Sequence, residues 1–406
     1  MEAFSITLKL AFRNLVRNKR RSVAVLLTII AGTSSLFLFD GFNTGIMNQY
    51  RENTIHARYG YGQINSKGYH DQVYEKPWDH WIEDADRVLS EIRSIPQVTH
   101  VFPRIEFYGL LNNGQISLSG RGQGIDGLAE MGFFNTLNIV EGKALSDEID
   151  GLVLGQGLAK SLNARVGDRI TLLANTIYGS INGVDLVVTG IFHTGAKEFD
   201  DVVFRLPLKL SQELLDTKKI EKFALGLDQL SSWDQVTEEI TKNHQGLEAI
   251  PFAVLDKVYY QHAVDWLGSQ FQVIKLIILV IVLLGIFNTV STSVLERKQE
   301  VGNLRANGES AGQVISLFLT EGGILGLIGA MIGIAFTILL NMSILGNGIL
   351  MPPSPGITRQ FRVFIELQLF GSAESFLLCL LCVIIGTFFA SVQVVRMPIG
   401  KALRSL

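Results

Sequence analysis

Asp40, Lys275 and Glu321 are charged residues inside long apolar runs of this chain. An ionisable side chain in hydrocarbon is costly, so it marks a paired or functional position. Lys275 and Asp40 lie near the ends of their runs, where a lysine snorkels to the interface and an aspartate is close enough to water to need no partner. Glu321 lies about two turns inside its run. It is expected to hydrogen-bond the charged segment just before that run, or the first apolar run. That segment, residues 295–310, carries Glu296, Arg297, Lys298, Glu300, Arg305 and Glu309 between two apolar stretches. Its regularity and helix-compatible residues suit docking by a partner on the cytoplasmic face better than a solvated loop.

Other chemistries are not spelled out. No G-x-x-x-x-G-K-[ST] occurs, so this sequence has no P-loop for ATP. H-E-x-x-H, paired C-x-x-C and G-x-S-x-G are also missing, and the seven histidines show no metal-ligand spacing. The carboxylates Glu198, Asp200 and Asp201 read as a solvated loop after Gly195. Cys379 and Cys382 sit in an apolar run without polar companions and read as packing residues.

The elements that hold these residues follow from composition. The chain has 406 residues, is 48% hydrophobic and only 18% charged, with mean hydropathy +0.30. Four runs are long enough to cross about 30 Å of hydrocarbon at 1.5 Å per residue: residues 22–47, 266–295, 313–343 and 373–395. Lys9, Arg13, Arg17, Lys19, Arg20 and Arg21 precede the first run, Arg297, Lys298 and Arg305 follow the second, and Arg396, Lys401 and Arg404 follow the fourth. All fall on one side if four helices span, and that side is cytoplasmic. Residues 48–265 carry 20 Lys and Arg against 30 Asp and Glu, a balance that argues against a nucleic-acid partner. The first run reads as an uncleaved anchor, because it is too long for a signal peptide and no small-x-small site follows promptly. The fold class expected is membrane α-helical, with four transmembrane helices and a large α+β extracytoplasmic domain inserted between helices 1 and 2.

Residues 1–21 read as an amphipathic helix on the inner leaflet, and residues 296–312 as a cytoplasmic helix. Within 48–265, a membrane-proximal part (48–116 and 216–265) is expected to flank a β-rich insertion (117–215). A helix is expected over 79–94, stopped by Pro96, then a strand over 98–111 turning at Asn112-Asn113-Gly114. Further strands are expected over 169–174, 184–192, 201–206, 223–227 and 251–254, with helices over 156–162 and 232–242. Tyr259, His262, Ala263, Trp266, Leu267, Gln270 and Ile274 extend the second span backwards as a rod over about 257–298. Gly322/Gly326 and Gly329/Gly333 are G-x-x-x-G pairs that permit close helix contact. Residues 344–372 form an outer loop, stiffened by Pro352, Pro353 and Pro355. The tail covers residues 396–406.

Several motifs together are similar to the permeases of the MacB/FtsX/LolC–LolE group, the type VII ABC transporters. Leu10-Ala11-Phe12-Arg13-Asn14-Leu15 with Asn18-Lys19-Arg20-Arg21 resembles the N-terminal segment of that group. Val153-Leu154-Gly155-Gln156-Gly157-Leu158-Ala159, Val166-Gly167-Asp168, Thr189-Gly190-Ile191-Phe192 and Phe199-Asp200-Asp201 resemble its outer-domain signature. Glu296-Arg297 with Glu300-Val301-Gly302-Asn303-Leu304-Arg305-Ala306-Asn307-Gly308 resembles its coupling helix, although Asn303 and Asn307 stand where larger or more apolar residues are usual. Thr320-Glu321-Gly322 and the ending Pro398-Ile399-Gly400-Lys401-Ala402-Leu403-Arg404 complete the resemblance.

The resemblance implies a permease subunit with no catalytic site or cofactor of its own, ATP and Mg being held by a separate cytoplasmic ATPase dimer. That ATPase would dock on Glu296, Arg297, Glu300, Gly302, Leu304, Arg305 and Gly308, with Glu321 coupling the segment to the membrane. Two permease copies or paralogues would pair in the inner membrane, with the large domain in the periplasm. The size of the outer domain and the separate ATPase are most like the lipoprotein-releasing branch. There, lipid-anchored cargo would enter past Phe37, Phe39, Phe42, Met47, Trp266 and Phe271 and pass to a periplasmic carrier. A MacB-like efflux permease and an FtsX-like regulator of a cell-wall hydrolase are the alternatives.

Overall fold

The computed structural model describes Arg13, Arg17 and residues 19–72, 76–135, 137–145, 151–257, 261–352 and 360–399. Most of the N-terminal amphipathic segment, Tyr259, Pro353, Pro355 and the ending Lys401-Ala402-Leu403-Arg404 lie outside the described residues. The chain divides into two units: residues 1–49, 265–350 and 362–406 in one, and residues 50–264 with 351–361 in the other.

The first span is helix α1 (Lys19–Thr54), 36 residues without a proline. The outer unit then begins with β1 (Gly62–Ser66) and a 3-10 turn at Pro77–His80, followed by α2 (Ala85–Arg93). The helix expected over 79–94 therefore loses its first third. Trp81 takes extended backbone and Ile82 bridges Ile220 in an antiparallel contact, which a helix could not make. Next come β2 (Val98–Asn112), β3 (Ser117–Ile125), α3 (Gly127–Phe133), β4 (Asn138–Gly142), β5 (Gly151–Gly155) and α4 (Gln156–Ser161). The unit continues through β6 (Arg169–Asn175), β7 (Ile181–His193), β8 (Val203–Pro207), α5 (Leu208–Leu215), β9 (Lys222–Leu227), α6 (Trp233–Asn243) and β10 (Leu247–Pro251). The strand expected at 251–254 sits earlier: β10 pairs with β1 as far as Pro251, and Phe252–Leu255 turns into a short helix.

The strands run in the order β10-β1-β9-β2-β3-β8-β5-β7-β4, with β6 pairing β2 and β7. β2 is shared between two halves. Val98–Arg104 face β9, and Ile105–Asn112 face β3. At that handover lies a buried polar network. Arg104 donates to both oxygens of Glu130 at 2.6 and 2.9 Å. Lys222 lies 3.2 Å from both Glu106 and Glu221, and Tyr69 donates to Glu221 at 2.6 Å. Around it packs an apolar core that includes Ile64, Ile105, Leu154, Phe204, Phe223 and Val236.

The membrane unit resumes with α7 (His262–Leu295), α8 (Lys298–Ala306), α9 (Ala311–Leu340) and α10 (Leu369–Val395). Among the described residues, four helices are thus long and apolar enough to cross a membrane. Their shared core joins Ile29 of α1, Ile286 and Val290 of α7, Phe318 of α9 and Val383 of α10. α7 ends at Leu295, three residues short of the rod expected over 257–298; at its other end Lys257 and Gln261 are in π-helical backbone, and residues 258–260 lie outside the described residues. Its 34 residues rise about 50 Å.

Glycines on α9 bring two neighbours close. A Cβ on Gly326 would stand 2.9 Å from Leu380 of α10, and one on Gly329 would stand 2.7 Å from Ile29 of α1. The two G-x-x-x-G pairs therefore serve packing inside this chain, one toward each neighbour. Cys379 and Cys382 are free and buried in the same bundle.

Candidate coupling site

The charged segment between the second and third spans is a turn, a short helix and a second turn. The span helix α7 ends at Leu295, Glu296 and Arg297 turn, and α8 runs over Lys298–Ala306. The single helix expected over 296–312 is thus interrupted at both ends, for local reasons. Gly308 has φ +96°. With it, Gly308 N–H donates to Arg305 C=O at 3.2 Å and Glu309 N–H to Leu304 C=O at 3.1 Å. This is the Schellman ending, which needs a left-handed residue just past the helix. Two residues later Ser310 starts α9 with a capping box: Gln313 N–H donates to Ser310 Oγ at 3.3 Å, and Ser310 N–H donates to Gln313 Oε1 at 2.6 Å. The S-x-x-Q spacing was a readable signal that the sequence reasoning missed.

Arg297 is the hub of this segment. Its side chain is 9% exposed. Nε donates to Glu300 Oε2 at 2.7 Å, Nη1 donates to Glu321 Oε2, and Nη2 donates to Glu321 Oε1 at 3.4 Å. The guanidinium carbon also lies 4.8 Å from the centre of the Phe318 ring. The hydrogen bond expected for Glu321 is therefore made to the charged segment. Glu300 also receives Arg17 Nη2 at 3.2 Å, and Arg21 Nε lies 2.7 Å from Glu296. Glu300 and Glu296 are thus each engaged by an arginine of the basic stretch before residue 22.

Gly302 is buried, and Leu304 packs against the helical core. Arg305 is half-buried in the last turn of α8, where a cation suits the helix dipole. What remains exposed on α8 is Gln299, Asn303 and Ala306, one stripe at helical spacing that Asn307 extends.

The other charges in the spans also differ from expectation. Asp40 is not left to water, and Lys275 does not extend free to the interface. Lys275 Nζ lies 3.5 Å from Asp40 and 2.8 Å from Glu374. One lysine on α7 thereby bridges carboxylates on α1 and α10. Glu374 had been overlooked because the fourth run is read as beginning around it.

Of the six residues considered for cargo entry, two are seen in contact. Phe39 and Phe271 meet edge to face with centroids 6.2 Å apart. Phe37 is buried in the bundle, Trp266 is 61% exposed, and Phe42 and Met47 are half-buried.

In the outer unit, Asp200 is a further correction. It is buried rather than solvated: Thr194 donates to it through its N–H at 2.9 Å and its hydroxyl at 2.7 Å, and His193 Nδ1 lies 2.6 Å away. Among the described residues, no group of His, Cys, Asp and Glu is arranged to hold a metal ion.

Four spans, a short charged helix between the second and third, and a large α+β domain after the first describe an ABC transporter permease. A MacB-like periplasmic core domain matches residues 22–243, and an FtsX-like permease C-terminal region matches residues 273–399. The chain belongs to the MacB/FtsX-like permease family and is a multi-pass membrane protein with a large domain of the periplasmic type.

An ABC transporter permease from Methanocaldococcus jannaschii is 23% identical over 347 residues, 81% of this chain and 82% of that one. The lipoprotein-releasing system transmembrane protein LolE of Haemophilus influenzae is 25% identical over 284 residues, 65% of each chain. LolC of Neisseria meningitidis is 26% identical over 213 residues, 48% of each. Among solved structures, the periplasmic region of MacB from Actinobacillus actinomycetemcomitans is 14% identical, with 48% of this chain and 90% of that one covered and a TM-score of 0.37. The family assignment does not rest on that likeness.

Proposed function

We propose that this chain receives the stroke of a separate ATPase dimer at α8 and converts it into work on a lipid-anchored protein outside the membrane. The observation that carries the coupling is the Arg297 hub. It ties the turn after α7, helix α8 and the third span through one buried guanidinium. A push on α8 then moves the start of α9 with it, because a buried bidentate pair resists separation. The exposed stripe Gln299, Asn303 and Ala306 is the surface offered to the ATPase. Two copies or paralogues of the permease would be closed together by it.

The likeness to LolE and LolC supports the lipoprotein-releasing reading of the cargo. In that reading the cargo's acyl chains pass Phe42, Met47 and Trp266, and a soluble periplasmic carrier takes them. The test is mass spectrometry of the intact complex drawn from native membranes. A bound ATPase with a lipoprotein or lipid carrier supports the reading. An adaptor with an outer channel replaces it with efflux, and a cell-wall hydrolase replaces it with regulation. Recovery without any ATPase removes the coupling role as well.

A further inference from the structure

Two ion pairs join the basic stretch before residue 22 to the charged segment, and they match in spacing. Arg17 pairs with Glu300 at 3.2 Å and Arg21 with Glu296 at 2.7 Å. The arginines stand four residues apart, and so do the carboxylates, in opposite order. Positions four apart share one face of a helix, so the pairs act as one clasp between the start of α1 and the segment that carries α8. Glu300 belongs to both the clasp and the hub: its Oε1 accepts from Arg17 and its Oε2 from Arg297.

The clasp faces solvent. The side chains of Arg17 and Glu300 are 63% and 40% exposed, those of Arg21 and Glu296 38% and 49%. An ion pair at such exposure shifts an equilibrium by no more than about fivefold.

Lipid headgroups lie within reach of the same arginines. Val23 and Leu27 are apolar and exposed, so they begin the lipid-facing surface of α1. Arg21 precedes Val23 by about 3 Å along the helix axis and Lys19 by about 6 Å, the depth of the headgroup layer rather than of hydrocarbon. Lys19 and Arg20 are exposed as well, and among the described residues neither has an ion pair. A basic stretch beside a span gains about fivefold per residue from an anionic leaflet. That is the scale of the ion pairs it would give up, and the same leaflet repels Glu296 and Glu300. Two attractions of similar size compete for Arg17 and Arg21, so the charge of the lipid tips the balance.

We propose that the headgroup of an anionic phospholipid binds Arg17 and Arg21 and releases Glu296 and Glu300, so that leaflet charge sets how firmly α8 is held to α1. The competition itself needs no ATPase; its consequence for transport rests on the reading of α8 as the docking surface. The test follows amide exchange of residues 298–306 in the full chain, without ATPase, in phosphatidylcholine nanodiscs and in nanodiscs with about 40% phosphatidylglycerol. Exchange should quicken about threefold or more in the anionic discs, while that of the outer unit does not change. Arg17→Gln/Arg21→Gln should exchange fast in both lipids. Lys19→Gln/Arg20→Gln loses the same charge without touching the clasp and should stay as slow as the parent in phosphatidylcholine. Equal rates for the parent in the two lipids overturn the proposal. So does an Arg17→Gln/Arg21→Gln chain that responds to phosphatidylglycerol as the parent does, or a Lys19→Gln/Arg20→Gln chain that exchanges as fast as it. With no ATPase present, these outcomes stand apart from the recovery experiment that tests the coupling role.

Discussion

Arg297 joins Glu300 and Glu321 through one guanidinium, and its replacement should reveal what each contact does. Arg297→Met takes the paired cation away from the buried Glu321 carboxylate, and breaking a buried pair costs about 3–5 kcal/mol in comparable sites. The double variant Arg297→Met/Glu321→Met removes both charges and should recover most of that loss in unfolding of the chain in nanodiscs. It should still fail to stimulate transport. A double variant with full transport would show the pair to be packing alone. Arg297→Lys keeps the charge but not the fork, so it should fold and couple poorly.

A second expectation belongs to the buried network at the handover in β2. Burial, with Glu106 beside it, raises Glu221 above its ordinary value of 4.5, and Lys222 opposes this. Burial also disfavours ionised Glu106, but Lys222, Arg121 and Arg58 outweigh it and hold that carboxyl well below the usual range. The stability linked to Glu221 is complete below pH 4.5 and is lost as pH rises through its raised folded value. Glu106 has the opposite sense: its contribution is present above the unfolded value and lost as pH falls. Glu221→Gln removes the first dependence. Its stability relative to the parent should therefore improve as pH rises from about 4.5. A stability difference flat across pH 4–8 would contradict this assignment.

At the scale of elements, α8 is set by its two ends. Gly308→Ala forces a side chain into the left-handed region, and Ser310→Ala removes a cap; each should cost about 1 kcal/mol. The readout is amide exchange of residues 298–306, which should quicken while that of the outer unit does not change. Helix α9 gives a cleaner contrast. A Cβ on Gly329 meets Ile29 at 2.7 Å, whereas a Cβ on Gly323 meets nothing within 4 Å. Gly329→Leu should lower the thermal stability of the bundle and Gly323→Leu should not; equal effects would refute the packing account. The glycine periodicity was plain in the sequence. Which glycine faces which helix was not, because G-x-x-x-G marks a face that can approach a neighbour without saying which neighbour. Likewise the strand at 98–112 was visible from alternation, but the extended stretch at Trp81 and Ile82 was not. It exists only because Ile220 arrives from 138 residues away to pair with it.

For the whole molecule, the Lys275 bridge ties α7 to α1 and α10 at one end of the bundle. Lys275→Met leaves Asp40 and Glu374 facing each other without a cation. It should lower the thermal stability of the chain in nanodiscs more than Lys298→Met, which lies in the turn-and-helix segment; an equal or smaller loss would show the bridge to be incidental. Four spans and the inserted α+β domain were legible in the sequence. Each depends on local quantities: about 20 apolar residues in a row satisfy hydrocarbon wherever the rest of the chain goes. The charged segment and its family resemblance were legible for the same reason, since its motif is contiguous. The partners of Asp40 and Asp200 were not legible, and that of Glu321 only as the charged segment or the first run. Asp40 meets Lys275 across 235 residues, and Glu321 meets Arg297 across 24. A charge in a sequence states only that a counter-charge is needed. The tertiary structure decided which one, because pairing depends on distances that exist only once the helices have packed.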